Sequence, residues 1–182
     1  MLLKGCLHTH STCSDGKLSP QEVADVYESK GYDFIAFTDH DYLLKPNYRE
    51  LYDQVETDMI IFHGIEITVF IRGYIHVGKI EGVNETLHIF NHISEYDLTP
   101  DEVLERLVEL EKMYPLDAVE ITTKGFRDPA FESINIKYPQ IASDDAHTRQ
   151  GIGRAWIELD ADRDKDSILK AVKRGKFWNC HV

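Results

Sequence analysis

Short apolar segments alternate along the chain with segments whose apolar residues recur at helical spacing. Such alternation is typical of an α/β domain, in which helices pack against a sheet. The segments that we predict as strands are Leu2–Leu7, Phe34–Thr38, Met59–Ile67, Val69–Ile71, Tyr74–Ile80, Leu87–Phe90, Ala118–Ile121, Gln140–Ser143, Gly153–Leu159 and Phe177–Cys180. No long linker interrupts the alternation, so we predict a single compact domain over residues 1–182, built as a closed or nearly closed parallel barrel. Within it, Val69–Ile71 and Tyr74–Ile80 are joined through Arg72-Gly73 and are predicted to form a hairpin or strand pair.

Two capping boxes mark the beginnings of helices. Ser19–Glu22 and Thr99–Glu102 each place a hydroxyl side chain three positions before a glutamate, with proline at the first helical position. Gly31 is the expected end of the first helix. The apolar stripe of the second helix is predicted to comprise Val103, Leu104, Leu107, Val108 and Leu110. Two further helices are predicted over Pro46–Val55 and Asp166–Arg174.

Histidines and carboxylates cluster directly after the predicted strands. His8 and His10 are alternate residues of an extended segment, so both imidazoles can point to the same side. Ligands at the carboxyl ends of successive barrel strands converge on one face. The clustered residues are His8, His10, Asp15, His40, Glu66, His76, His92, Asp145 and His147. Converging carboxylates need cations or raised pKa values. The absence of cysteine from the set favours a catalytic metal centre over a structural one.

Other polar residues near these clusters are candidates for supporting roles. Asp39 and Asp144 can orient neighbouring imidazoles, or lie at the surface. Lys124 and Arg127 follow a predicted strand, and Arg149 and Arg154 follow the last histidine cluster. Lys124, Arg127 and Arg149 are our candidates to bind substrate phosphate, and the alternative for each of the four residues is a solvated charge or a local salt bridge. The remaining histidines, which lack a partner at ligand spacing, are expected in ordinary core or surface positions: His63, His88 and His181.

Composition narrows the class of partner. The formal net charge of −12 argues against binding to duplex nucleic acid, whose partners usually present a basic face. It does not argue against a small anionic substrate held by metal ions. Cys6, Cys13 and Cys180 are odd in number and read as reduced thiols. Because no signal peptide or membrane-spanning run is evident, we expect a cytoplasmic protein that does not contact membranes.

The ordered motifs His-Thr-His-Ser-Thr-Cys-Ser-Asp-Gly, Thr-Asp-His, Gly-Ile-Glu, Asn-His and Ser-Asp-Asp-Ala-His-Thr resemble those of the polymerase and histidinol phosphatase (PHP) family of phosphoesterases. The resemblance runs from about His8 to Gly153. It implies a distorted (β/α)7 barrel that holds two or three divalent ions of manganese, iron or zinc. The implied ligands of the first ion are His8, His10, Glu66 and Asp145. The implied ligands of the second are Asp15, His40 and His147, and Glu66 bridges to a third completed by His76 and His92.

The resemblance also implies hydrolysis of a phosphate ester by hydroxide that forms from a metal-bound water. The expected substrate is a small phosphorylated molecule, a nucleotide or a short oligonucleotide. The chain lacks a long insertion between Ile67 and His76, so its site is expected to be open. Two alternatives stay open at this point: an amidohydrolase that cleaves a carbon–nitrogen bond, and a non-catalytic metal-binding regulatory module.

Overall fold

The computed structural model describes all 182 residues as eleven strands and five α-helices. The strands are β1 (Leu2–Thr9), β2 (Phe34–Phe37), β3 (Ile60–Phe70), β4 (Tyr74–Glu81), β5 (Thr86–Phe90), β6 (Ala118–Glu120), β7 (Thr122–Thr123), β8 (Phe126–Arg127), β9 (Gln140–Ile141), β10 (Ala155–Asp160) and β11 (Trp178–His181). The helices are α1 (Pro20–Ser29), α2 (Tyr48–Asp53), α3 (Pro100–Leu110), α4 (Pro129–Glu132) and α5 (Lys165–Lys173). One 3₁₀ turn covers Asp41–Leu43.

Helices α1 and α3 begin at the predicted capping boxes. Ser19 and Thr99 each accept a hydrogen bond from a backbone N–H of the first turn, and the glutamate three residues later accepts one from the cap backbone. Gly31 follows α1 with a φ of 73°, a conformation that favours glycine. One position of the predicted α3 stripe is wrong. Val108 is 56% exposed, because it adjoins buried Leu107 and the helix turns it towards solvent.

Nine strands form one nearly closed sheet in the order β11-β10-β1-β2-β3-β4-β5-β6-β9, and β7 with β8 forms a separate hairpin. The sheet closes where the chain after β9 meets the end of β1: the Asp145 N–H donates to the His8 carbonyl over 3.1 Å, and the His10 N–H donates to the Ala146 carbonyl over 3.0 Å. The predicted distorted, nearly closed α/β barrel is therefore confirmed.

The predicted barrel is only partly parallel, and the hairpin or strand pair predicted around Arg72-Gly73 is confirmed. Strands β3, β4 and β5 form an antiparallel meander, and β10 is antiparallel to both β1 and β11. Only three residues, 71–73, join β3 to β4, and a parallel crossover needs about a dozen. The predicted strand over Val69–Ile71 belongs mostly to β3, which reaches Phe70 without interruption.

An apolar core fills the barrel beneath the face that carries the histidine and carboxylate clusters, which we call the upper face. Leu3 and Leu7 of β1, Phe34 of β2 and Phe62 of β3 are fully buried in this core, together with the apolar face of α5. Gly5 leaves room for the Phe34 ring, whose carbon atoms would lie 2.2 Å from a β-carbon at that position. The upper face is left to the polar clusters. All three cysteines are free thiols, and none of the helices is long and apolar enough to cross a bilayer.

Candidate metal centre

The nine clustered histidines and carboxylates all meet at the upper face of the barrel. Together with Glu95, they form four groups whose nitrogen and oxygen atoms lie within 4.8 Å of one another. Three of the groups share residues, and the fourth consists of His92, Glu95 and Asp145. The register of β1 against β2 shifts between Cys6 and Thr9. A shift of this kind changes the direction of the side chains that follow it. The nine residues that the sequence predicted as one cluster thus lie together in the fold.

Glu66 lies at the centre of the cluster and is fully buried. Its Oε1 is 3.3 Å from His8 Nε2 and 3.0 Å from His92 Nε2. Its Oε2 is 3.3 Å from His10 Nε2 and 3.0 Å from His40 Nδ1. The fifth imidazole of the cluster is that of His76, whose Nδ1 is 3.5 Å from Oε1. One carboxylate thus faces five imidazoles.

Two further carboxylates flank this centre. Asp145 Oδ1 is 3.3 Å from His10 Nε2 and 3.5 Å from both His8 Nε2 and His147 Nδ1. Asp15 is the most exposed of the three acids, and its Oδ1 is 3.4 Å from His147 Nε2. Asp145 has a φ of 45°, which non-glycine residues seldom adopt. Strain of this kind tends to occur at functional sites.

Several buried atoms of the cluster have no hydrogen-bond partner: His10 Nδ1, His40 Nδ1, His92 Nδ1, Glu66 Oε2 and Asp145 Oδ1. In addition, His8 Nε2 and His10 Nε2 face each other at 3.1 Å. At most one proton can lie between two ring nitrogens, and a buried acceptor without a donor is costly. Cations among these atoms would satisfy all of them. The residues therefore fit a metal centre of the histidine and carboxylate type.

The imidazoles differ in their affinity for protons. Burial lowers the pKa of His40 to about 4 and lowers the pKa values of His76 and His147 as well. Burial also opposes protonation of His10, but the neighbouring carboxylates of Asp145 and Glu66 outweigh it and raise the His10 pKa to about 9. A neutral imidazole is ready to bind a cation, whereas a protonated one must first release its proton.

Glu120 is a functional candidate that sequence reasoning missed. It is buried at the end of β6, where its Oε2 lies 2.8 Å from His8 Nδ1 and accepts a hydrogen bond from the His92 N–H over 3.1 Å. A carboxylate behind a ligating histidine sets its tautomer and orientation. The signal was available, because Ala-Val-Glu-Ile ends a predicted strand in the same way as Gly-Ile-Glu-Ile does around Glu66.

Asp39 and Asp144 hold backbone segments and make no hydrogen bond to an imidazole. Asp39 accepts hydrogen bonds from the backbone and side chain of Ser11, at 2.8 and 2.7 Å, and so anchors the loop after β1. Asp144 accepts from the backbone N–H groups of residues 153–155 at 2.6 to 2.7 Å, and from the Tyr27 hydroxyl at 3.0 Å. Both aspartates therefore position the segments that carry the cluster.

A cavity of about 430 Å³ opens above the cluster, and none of its twelve lining residues is hydrophobic. Of the basic candidates, the structure brings Lys124 to this cavity, together with Arg154. It does not bring Arg127 or Arg149 there. The Arg127 guanidinium makes a two-pronged ion pair with Glu132, at 2.5 and 2.6 Å, and Arg149 is an exposed residue. His63, His88 and His181 also lie outside the cavity lining, as expected.

Comparison with known families identifies two matches along the chain. Residues 7–155 match the model of the PHP domain, and residues 135–177 match the model of a PHP-associated region. A segment of 43 residues is 51% identical to the DNA polymerase/3′-5′ exonuclease PolX of Bacillus subtilis. That segment is 24% of this chain and 8% of PolX, so the chain corresponds to a small part of that relative.

Two solved structures share the fold over nearly the whole chain. One is a two-domain protein from Bacteroides vulgatus that contains a predicted PHP-like metal-dependent phosphoesterase; it is 19% identical with a TM-score of 0.76, over 100% of this chain and 65% of that one. The other is an amidohydrolase from Chromobacterium violaceum with bound sulfate; it is 13% identical with a TM-score of 0.69, over 97% of each chain. At these identities the likeness establishes the fold alone.

Proposed function

The chain belongs to the PHP domain family, and from that membership we propose that it is a metal-dependent phosphoesterase. Its substrate would be a small phosphomonoester, or a phosphoester of a nucleotide or short oligonucleotide. The observation that carries the proposal is the set of buried nitrogen and oxygen atoms around Glu66 that have no hydrogen-bond partner, together with the His8 and His10 nitrogens that face each other. Such an arrangement is stable only if cations or additional protons occupy the space between the atoms.

The overlapping groups of ligand atoms support two or three cations, of manganese, iron or zinc. The first would be held by His8, His10, Glu66 and Asp145, the second by Asp15, His40 and His147, and the third by Glu66, His76 and His92. When bound, such cations neutralise phosphoryl oxygens and make a water molecule acidic enough to supply hydroxide near neutral pH.

The chain's own residues would contribute position, charge and access. Glu120 fixes the His8 ring, and Asn91 donates a hydrogen bond to Glu66 Oε1 over 2.8 Å, which holds the central carboxylate in place. The cavity's wholly polar wall suits the ionic part of a substrate, since it offers no apolar surface to a hydrophobic group.

The test combines metal analysis with a panel of substrates. Protein reconstituted with manganese, iron or zinc would be assayed against phosphomonoesters, phosphodiesters and amides. We expect the protein to hydrolyse phosphate esters, and we expect His10→Ala to lose this activity. His63→Ala should keep it, because His63 lies outside the cluster and pairs with Asp53. Single turnover in ¹⁸O-labelled water should place one solvent oxygen in the released phosphate. Label in the alcohol product instead would contradict attack at phosphorus.

The same panel separates the alternatives. The likeness to an amidohydrolase is the observation that favours carbon–nitrogen hydrolysis. Amidohydrolase barrels usually need a lysine that bridges their metal ions. The cavity's one lysine, Lys124, instead forms an ion pair with Glu95 at 3.2 Å. Amide hydrolysis without ester hydrolysis would replace the proposal with an amidohydrolase. Bound metal with no activity towards any substrate class would favour a regulatory module.

A further inference from the structure

Lys124 and Arg154 stand together on one wall of the cavity and are its only lysine and arginine. Every other charged or titratable residue in the lining is a histidine or an acid. The two basic side chains come from segments 30 residues apart, yet the Arg154 Nη1 donates a hydrogen bond to the Lys124 carbonyl over 3.2 Å. They therefore form one structural unit, which we call the basic pair.

The hairpin β7–β8 is shaped to deliver this pair. Its turn consists of Lys124 and Gly125, with φ values of 50° and 78°; positive φ at both central positions is characteristic of a type I′ turn. A β-carbon at Gly125 would lie 2.4 Å from Arg154 Cβ, so only glycine lets the turn approach that side chain closely. The Arg154 guanidinium also lies 4.8 Å from the centroid of the Phe126 ring. The arginine is thus held before any ligand arrives.

The basic pair is separated from the centre of the metal cluster. Lys124 Nζ lies 3.2 Å from Glu95 Oε1, and Glu95 Oε2 lies 3.1 Å from His92 Nδ1. Only beyond that imidazole does Glu66 follow, 3.0 Å from His92 Nε2. Along these contacts, one carboxylate and one imidazole link the lysine ammonium to the central carboxylate, and Glu95 itself groups with His92 and Asp145. An anion that replaces Glu95 beside Lys124 would be distinct from a phosphoryl group over Glu66.

The charges of this cavity wall also favour binding of an anion. Glu95 neutralises Lys124, but the Arg154 guanidinium makes no hydrogen bond to a carboxylate, and its partner is a backbone carbonyl. An unneutralised guanidinium that is already held in place binds an anionic oxygen at a small entropic cost. In a chain with a net charge of −12, such a group facing the reaction cavity is an exception to the general acidity.

We propose that Lys124 and Arg154 form a second anion subsite, which selects phosphoesters that carry another negative group, a carboxylate or a phosphate, on the part that leaves. The inference rests on the proposed phosphoesterase function for the site itself. It also assigns a role in specificity to Arg154, which was not among the three residues that the sequence favoured for phosphate binding. Glu95 serves as the internal counter-ion of Lys124 until the second anion of the substrate replaces it.

The test is a binding comparison that does not depend on turnover. Calorimetry with the manganese-loaded protein would compare propylphosphonate, which has one anionic group, with 3-phosphonopropionate and propane-1,3-bisphosphonate, which have two. We expect the two-anion ligands to bind about 10- to 100-fold more tightly, the range of a charge-assisted hydrogen bond. Lys124→Ala and Arg154→Ala should each remove most of that preference, and Arg154→Lys should restore part of it.

Arg127→Ala is the matched control, since Arg127 lies on the same hairpin but pairs with Glu132 outside the cavity; it should keep the full preference. Thermal unfolding would verify that each variant is folded. Equal binding of all three phosphonates by the wild type, or an unchanged preference in both alanine variants, would overturn the inference. Hydrolysis of glycerol 3-phosphate and of 3-phosphoglycerate then separates the two proposals. If both esters are hydrolysed with equal kcat/KM, the second anion subsite alone is contradicted. If no phosphoester is hydrolysed, the proposed phosphoesterase function is contradicted.

Discussion

Replacement of Glu120 by glutamine is the sharpest test of how the cluster is held. Glu120 is 1% exposed, and its Oε2 serves both His8 Nδ1 at 2.8 Å and the His92 N–H at 3.1 Å. Glutamine keeps an oxygen of the same reach, so the fold and both hydrogen bonds can persist. What it removes is the negative charge behind the His8 ring, and it adds an amide group at Oε1, which has no partner in the structure.

The expected loss can be worked from this geometry. A carboxylate behind a ligating histidine contributes about 10- to 100-fold to metal affinity, which corresponds to about 1.4 to 2.7 kcal/mol. Because His8 contacts Glu66 and Asp145, the weakened cation should be the one that those residues share. Manganese titration by calorimetry should therefore lose one tight binding step while the others stay within about threefold, the usual scatter of such contributions.

Glu109→Gln is the control, since Glu109 is a surface residue that pairs with Lys112. Its manganese affinities should equal those of the wild type. Thermal unfolding of both variants would check that they are folded. If Glu120→Gln binds every manganese ion within twofold of the wild type, then His8 does not depend on this carboxylate, and the role that we assign to Glu120 is wrong.

Three further outcomes follow from the same structure. Protons and cations compete for His10, because its pKa is raised to about 9. Manganese affinity should therefore rise as the pH increases from 6.5 to 8.5, by at most about tenfold per pH unit for each proton released. A flat pH profile in calorimetry would contradict this. Removal of cations with a chelator should lower the Tm in scanning calorimetry, because cations bind the folded chain and relieve repulsion among Asp15, Glu66 and Asp145. An unchanged Tm would argue against bound metal. Tyr27→Phe deletes the hydroxyl that donates to buried Asp144. It should reduce the free energy of unfolding, measured by urea titration, by about 1 to 3 kcal/mol. A loss below about 0.5 kcal/mol, the level of a neutral surface substitution, would show that the backbone donors alone satisfy Asp144.

Local chemistry explains the predictions that succeeded. The two capping boxes depend on residues within four positions of each other, and the helices begin where those residues stand. The clusters after strands also depend on local order, because a strand delivers whatever follows it to the same face of the barrel. These rules account for the candidate ligands that lie at the ends of strands, whereas His76 lies near the beginning of the antiparallel strand β4 and was assigned through the family resemblance.

Strand direction and the supporting acids depended on contacts across the chain. Glu120 reaches a histidine 112 positions earlier, and Asp144 binds a tyrosine 117 positions earlier. Nothing near either residue specifies that partner. The short connection at Arg72-Gly73 indicated the antiparallel pairing of β3 with β4, whereas the antiparallel pairing of β10 with β1 depended on contacts across the chain.

The basic residues show the same division. By sequence, Lys124, Arg127, Arg149 and Arg154 were similar positive charges after strand ends. Only the tertiary structure distinguished them, because the turn at Gly125 directs Lys124 towards the cavity and turns Arg127 towards Glu132. The sequence by itself thus determined the ligand types and their order. The tertiary structure decided which charges share a cavity, since that depends on the packing of segments that no local pattern relates.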